Sequence, residues 1–110
     1  MANSFKVSAV AGVGTSPTNA YVCPASTSTT VIGLSLANIT TSQITVTAEL
    51  DISGGGATAR LVKDAPIPVG SSLVVVGGDQ KVVLNASDAI KITSSAVSSV
   101  DVITSYLEIV

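Results

Sequence analysis

The stretch Gln80–Val110 reads QKVVLNASDAIKITSSAVSSVDVITSYLEIV. Three apolar-rich runs lie in it, Lys81–Leu84, Ala89–Thr93 and Val100–Val110. Two breaks separate them, Asn85-Ala86-Ser87-Asp88 and Ser94–Ser99. Valine and isoleucine dominate the runs, and their branched side chains suit a pleated, half-buried surface. Asn, Ser and Asp fill the breaks, where their short polar side chains hydrogen-bond to nearby backbone and favour turns. The stretch predicts an antiparallel meander of three strands, with the upstream chain packed against it.

Working outward, the same punctuation continues. Phe5–Ala11 alternates, with Phe5, Val7, Ala9 and Ala11 on one side and Lys6, Ser8 and Val10 on the other. Gly12–Thr18 is turn-rich. Asn19–Pro24 reads as a short edge strand, because Pro24 has no N–H to donate. Ala25–Thr30 is a Ser/Thr linker. Val31–Asn38 puts Ile32, Leu34 and Leu36 on one face, and Gly33 in mid-strand predicts a bulge or a close backbone approach. Gln43–Ile52 has the cleanest alternation. Ile44, Val46, Ala48, Leu50 and Ile52 face one way, Thr45, Thr47, Glu49 and Asp51 the other, as in an antiparallel sheet with one wet face. Gly54-Gly55-Gly56 reads as a hairpin tip. Ala57–Asp64 is the partner strand, with Ala59 and Leu61 inward and Arg60 and Lys63 placed to face Glu49 and Asp51. Ala65–Gly70 reads as an extended connector. Ser71–Val76 is a strand covered on both faces, and Gly77-Gly78-Asp79 turns into the final stretch. No segment carries a 3.6-residue period. The expectation is a single all-β domain over residues 1–110, a jelly-roll-like β-sandwich of eight or nine short antiparallel strands.

Composition narrows what such a domain does. The chain has 110 residues, of which 46% are hydrophobic, 11% charged and 3% aromatic. Its core must therefore be aliphatic, and its surface is a weakly charged one of serine and threonine. Such a surface is poor at keeping a free monomer soluble, which points to a chain that is covered in use. Lys6, Arg60, Lys63, Lys81 and Lys91 are scattered and no aromatic residue interleaves them, which argues against nucleic-acid binding. No apolar run approaches the length of a membrane-spanning helix. Val7–Val13 follows a lysine, but Ser8 and Gly12 break it; it reads as a first strand rather than a signal segment. The chain is expected to be made and used without export.

Reactive chemistry has little to stand on. With no histidine, serine- or cysteine-histidine catalysis and histidine metal sites are impossible within the chain. Cys23 is the lone cysteine, so it forms no intrachain disulfide, and it reads as a small buried side chain. Glu49 and Asp51 share a strand face, a pattern that suits an acid pair or a cation site but is far commoner on a solvated strand. Asp79 and Asp88 fall in turns. Gly12-Val13-Gly14 and Gly54-Gly55-Gly56 open no helix and are not phosphate loops. Asn38-Ile39-Thr40 and Asn85-Ala86-Ser87 fit the glycosylation pattern, which has no meaning without export. No cofactor, metal or catalytic residue is expected.

Several runs together resemble small virion structural proteins of tailed bacteriophages, of the marine and cyanophage type. They are Asp64-Ala65-Pro66-Ile67-Pro68-Val69-Gly70-Ser71-Ser72-Leu73, Gln80–Leu84 with Asp88, Val100–Ile103, Ser105–Ile109, and upstream Val31–Asn38. The resemblance covers most of the chain and rests on turns and strands. It implies a non-enzymatic particle component, foremost a capsid decoration or cement protein that binds the shell and stabilises it. A tail, baseplate or fibre-adaptor component is the alternative. The implied location is the virion, assembled in the host cytoplasm, and the implied partner is the major capsid protein or another virion protein. A carbohydrate- or host-surface-binding module is a reading of another class, but Phe5, Tyr21 and Tyr106 offer few stacking platforms.

The last run departs from alternation between apolar and polar. Val100, Val102, Tyr106 and Val110 lie on one side, Ile103, Leu107 and Ile109 on the other. A sandwich strand meets the core with one face only, so the second face calls for another cover. The expectation is a subunit contact made by Val102, Ile103, Tyr106, Leu107 and Ile109 in a homo-oligomer. The particle setting, not these residues, makes a trimer the expected number.

Overall fold

Each β-branched run becomes a strand. The computed structural model describes residues 3–53, 58–77 and 81–110. Among them are nine strands: β1 (Asn3–Val13), β2 (Thr18–Val22), β3 (Ser28–Asn38), β4 (Ile44–Asp51), β5 (Thr58–Ile67), β6 (Ser72–Val76), β7 (Val82–Leu84), β8 (Ala89–Ser94) and β9 (Val100–Ile109). The expected turns at Gly54–Gly56 and at Gly78-Asp79 lie outside the described residues.

The pairings are nested. β4 pairs with β5, β3 with both β6 and β7, β2 with β8, and β1 with β9, all antiparallel. One ribbon with its tip at β4–β5 is folded over, so that β9 also pairs with β3 and β8 with β4. The result is two sheets, β1-β9-β3-β6 with β7 beside β3, and β2-β8-β4-β5. This is jelly-roll wrapping, with the strand beside β3 broken into β6 and β7. The aliphatic core lies between the sheets. Val31, Leu34, Leu36, Val76, Leu84, Val100 and Val102 fill it from one side, Ile44, Val46, Ala48, Ile67, Ile90 and Ile92 from the other.

Several expectations are corrected here. β7, β8 and β9 do not form a meander: β7 and β9 belong to one sheet and β8 to the other, and none pairs with its neighbour in sequence. A break of four to six residues is long enough to cross the roughly 10 Å between stacked sheets. Ser71–Val76 is not covered on both faces. A bulge in β6, where Val75 is inserted between the partners of Leu34 and Ser35, lets Val75 and Val76 both turn inward, while Val74 stands in solvent. Ala65–Ile67 continues β5 rather than forming a connector. Pro66 is tolerated because β5 is an edge strand, whose outward N–H has no partner to lose. The turn after it places Gly70 at φ 74°, with the Ser71 N–H bonded to the Pro68 carbonyl at 3.1 Å, a geometry that favours glycine. Ala59, expected inward, is exposed. Lys63 pairs with its neighbour Asp64 at 3.2 Å, and Asp51 pairs with Lys91 at 3.1 Å.

The bulge expected at Gly33 is present, as a register shift between Val31 and Gly33 against β9. It resets the phase of β3, so that Val31, Leu34 and Leu36 are buried and Ile32 is not. The β4 faces are as expected, except that Ile52 runs past the sheet and is exposed.

Thr104, on the inner side of β9, is the one buried side-chain oxygen among the described residues without a hydrogen-bond partner. Such a group costs about 1–3 kcal/mol. Thr104→Val, nearly the same shape, is expected to raise stability by about 1 kcal/mol, or roughly 4 °C in Tm. A thermal melt checks it.

Candidate functional site

The two sheets present outer faces of opposite character. On β4 and β8 the outward side chains include Thr45, Thr47, Glu49, Asp51, Lys91 and Thr93. Glu49 is in register with Arg60 on one side and Lys91 on the other, and Asp51 holds Lys91. The Glu49–Asp51 pair thus sits in a stripe of alternating charge. Among the described residues no group of three or more Cys, Asp or Glu side chains is placed to hold a metal ion.

The outer face of the other sheet is apolar. Paired residues of an antiparallel sheet share a face, so the register defines its rows. Phe5, Leu107, Thr30 and Val83 make one row across four strands, and Ala9, Ile103, Ser35 and Val74 make another. Between them lies a low row of Val7, Ser105 and Gly33. Phe5 is 77% exposed, Val7 65%, Val74 66%, Val83 61% and Ile103 50%. A Cβ on Gly33 would meet its nearest neighbour, Ser105, at 3.8 Å. Packing within the chain therefore does not demand a glycine there. Together the rows form a face of exposed apolar side chains interspersed with Thr30, Ser35 and Ser105.

Of the five residues expected at a subunit contact, three lie on this face: Ile103 is exposed, and Leu107 and Ile109 are half-buried. Val102 and Tyr106 do not; they are core residues on the inner side of β9. The reading of the sequence missed Phe5, Val7, Val74 and Val83. The signal was present in β1, whose apolar side was recognised but not assigned outward.

β1 turns its apolar side out because its polar side has partners inside. Lys6 reaches Glu108 at 2.8 Å, and Ser8 donates to the Ala20 carbonyl at 3.2 Å. Glu108 in turn accepts a hydrogen bond from the Tyr21 hydroxyl, which lies 2.9 Å from Thr29 Oγ1. Cys23 Sγ sits 3.3 Å from the same threonine oxygen. The Tyr21 and Tyr106 rings lie against each other, tilted by 40°, with centroids 4.1 Å apart. This polar clasp ties β2 of one sheet to β3 and β9 of the other. It also buries two of the three aromatic rings, leaving Phe5 on the surface.

The clasp carries a pH signature. Hydrogen bonding to Lys6, and then to Tyr21, holds the Glu108 carboxyl below the usual carboxylate range. The Tyr21 phenol is pushed up by burial and by Glu108, and Lys6 is raised by its bond to Glu108. A depressed carboxylate contributes stability that is complete above its unfolded value, about 4.3, and is lost as pH falls through the folded value. Glu108→Gln keeps the shape and removes the charge. Its stability is expected to lie below that of the native chain at neutral pH and to converge with it in acid. Urea denaturation at a series of pH values checks this; parallel curves would show that the carboxylate contributes nothing.

Comparison with protein-family models, with curated proteins and with solved structures finds no match to this chain.

Proposed function

We propose that the chain is a non-enzymatic virion structural protein, placed as a capsid decoration or cement protein that binds the shell and stabilises it. The observation that carries the assembly role is the contrast between the two outer faces. One is charged and suited to water; the other exposes Phe5, Val7, Val74, Val83 and Ile103 together. Burial of such a face supplies a hydrophobic driving force of about 25 cal/mol per Å² of apolar surface removed from water. The virion setting comes from the resemblance of the stretches named above. Jelly rolls serve in viral capsids and also in lectins, so the fold is compatible with the reading and does not single it out. A sugar-binding role is the weaker reading, because Phe5 is the one aromatic ring on the surface.

Electron microscopy of intact particles with the protein labelled tests the placement. The expected result is density on the shell at a copy number that matches capsid symmetry. Label at the tail alone would overturn the capsid placement, and absence from particles would overturn the virion reading. Ile103→Asp with Leu107→Asp is expected to abolish attachment while the β-type circular dichroism spectrum persists.

A further inference from the structure

Each sheet has two edges, and three of the four are blunted. β2 has five residues and is flanked by Pro17 and Pro24. The edge beside β3 is split into β6 and β7, of five and three residues. β5 is longer but carries Pro66, Arg60 and Lys63, two register shifts against β4, and Asp64 at φ 51°. Short strands, prolines, charges and bulges are the devices that stop an edge from recruiting another strand.

β1 is the least guarded of the four, with a single lysine as its one such device over most of its length. Asn3 to Val10 pair with β9 in eight consecutive positions without a shift. The segment contains no proline and one charge, Lys6, which is half exposed and paired with Glu108. Its outer edge presents a regular row of backbone N–H and C=O groups, bordered by exposed Phe5, Val7 and Ala9.

We propose that β1 pairs edge to edge with β1 of a second copy, antiparallel about a two-fold axis normal to the sheet, so that one sheet runs through a dimer. The register follows from the sequence. The two-fold keeps outward residues outward, so each residue must meet one of its own parity, and the axis must pass through a residue position. The regular segment, residues 3–10, overlaps itself most when the axis passes at Lys6 or Val7. An axis at Lys6 sets two ammonium groups opposite each other, which is destabilising. An axis at Val7 sets Val7 against itself, Phe5 against Ala9 and Lys6 against Ser8. That interface is self-complementary, as a two-fold contact requires. It also gives dimers rather than the trimer expected from the particle setting. The inference stands on the edge alone; a dimer would extend the apolar outer face across both copies.

The test uses the full chain in solution. Sedimentation should give a dimer. Val7→Cys should yield a covalent dimer with a short bis-maleimide at micromolar protein, whereas Val74→Cys, exposed on the same face but at the other edge, should not. The native chain is the control, because Cys23 is buried. Val7→Lys, which places like charges at the axis, should weaken association at least tenfold with an unchanged circular dichroism spectrum. A native monomer at micromolar concentration, a trimeric mass, or equal cross-linking at both positions overturns the proposal. Each of these outcomes leaves the particle reading intact, since that is decided on particles.

Discussion

Val46→Asp is expected to leave the chain unfolded at room temperature. Val46 lies on the inner side of β4, 1% exposed, between Ile44 and Ala48 and opposite the other sheet. No cation lies among the core residues around it, so a carboxylate there would be an uncompensated charge in an aliphatic interior. Substitutions of this kind cost more than about 4 kcal/mol, against a total stability of roughly 5–15 kcal/mol for a typical domain. The low end of that range is the better guide here, since the core is aliphatic and broken by a polar clasp. One residue away, Thr45→Asp points into solvent on the charged face and should cost less than about 1 kcal/mol. Urea denaturation followed by circular dichroism measures both. Equal losses would mean that β4 is set one residue out of register, since a one-residue slip exchanges the two faces.

The second large effect is expected at Asn38, where β3 ends. Its side chain is buried and fully used. Nδ2 donates to the carbonyls of Ser42 and Ile67, each at 2.9 Å, and Oδ1 accepts from the Thr40 N–H at 2.8 Å. One amide thus closes the corner into β4 and fastens it to the end of β5. Asn38→Ala would strand the buried Ile67 carbonyl and loosen the corner. The expected loss is about 2–4 kcal/mol, from one fully buried and three part-buried hydrogen bonds, the third being from the Thr40 hydroxyl to Oδ1 at 2.8 Å. Asn85→Ala, in the other sequence of the glycosylation pattern, should be nearly neutral because Asn85 is exposed. Denaturation midpoints of the two variants give the comparison. Similar midpoints would show that the corner holds without the amide.

Asp88 does the equivalent work at the β7–β8 corner. Its carboxylate accepts from the backbone N–H groups of Asn85 at 3.0 Å and Ser53 at 3.1 Å. The sequence marks Asn38 as the end of a strand and Asp88 as a turn residue, because short polar side chains before a new apolar run are turn formers. It does not mark them as buried, since the groups they hold at Ile67 and Ser53 come from distant parts of the chain.

That division runs through the whole molecule. Periodicity and turn chemistry are local, and the sequence by itself determined what depends on them: the strands, the inward and outward sets of β4, and the bulge at Gly33. Composition alone likewise shows that this chain supplies no histidine to a site. Pairing is not local. A period of two says that β1 has two faces and not which of them meets the core. The clasp of Lys6, Glu108 and Tyr21 decides that, and it is assembled from β1, β9 and β2. The same holds for β9. Its alternation separates Val102 and Tyr106 from Ile103, Leu107 and Ile109, but only the opposite sheet, packed on one side, makes the first set core and the second set surface. Tertiary structure also decided that β7, β8 and β9 alternate between sheets, because a short polar break can close a hairpin or cross the sandwich equally well. The choice is made by the long strands β3 and β4, each of which offers an edge that β9 and β8 satisfy with backbone hydrogen bonds.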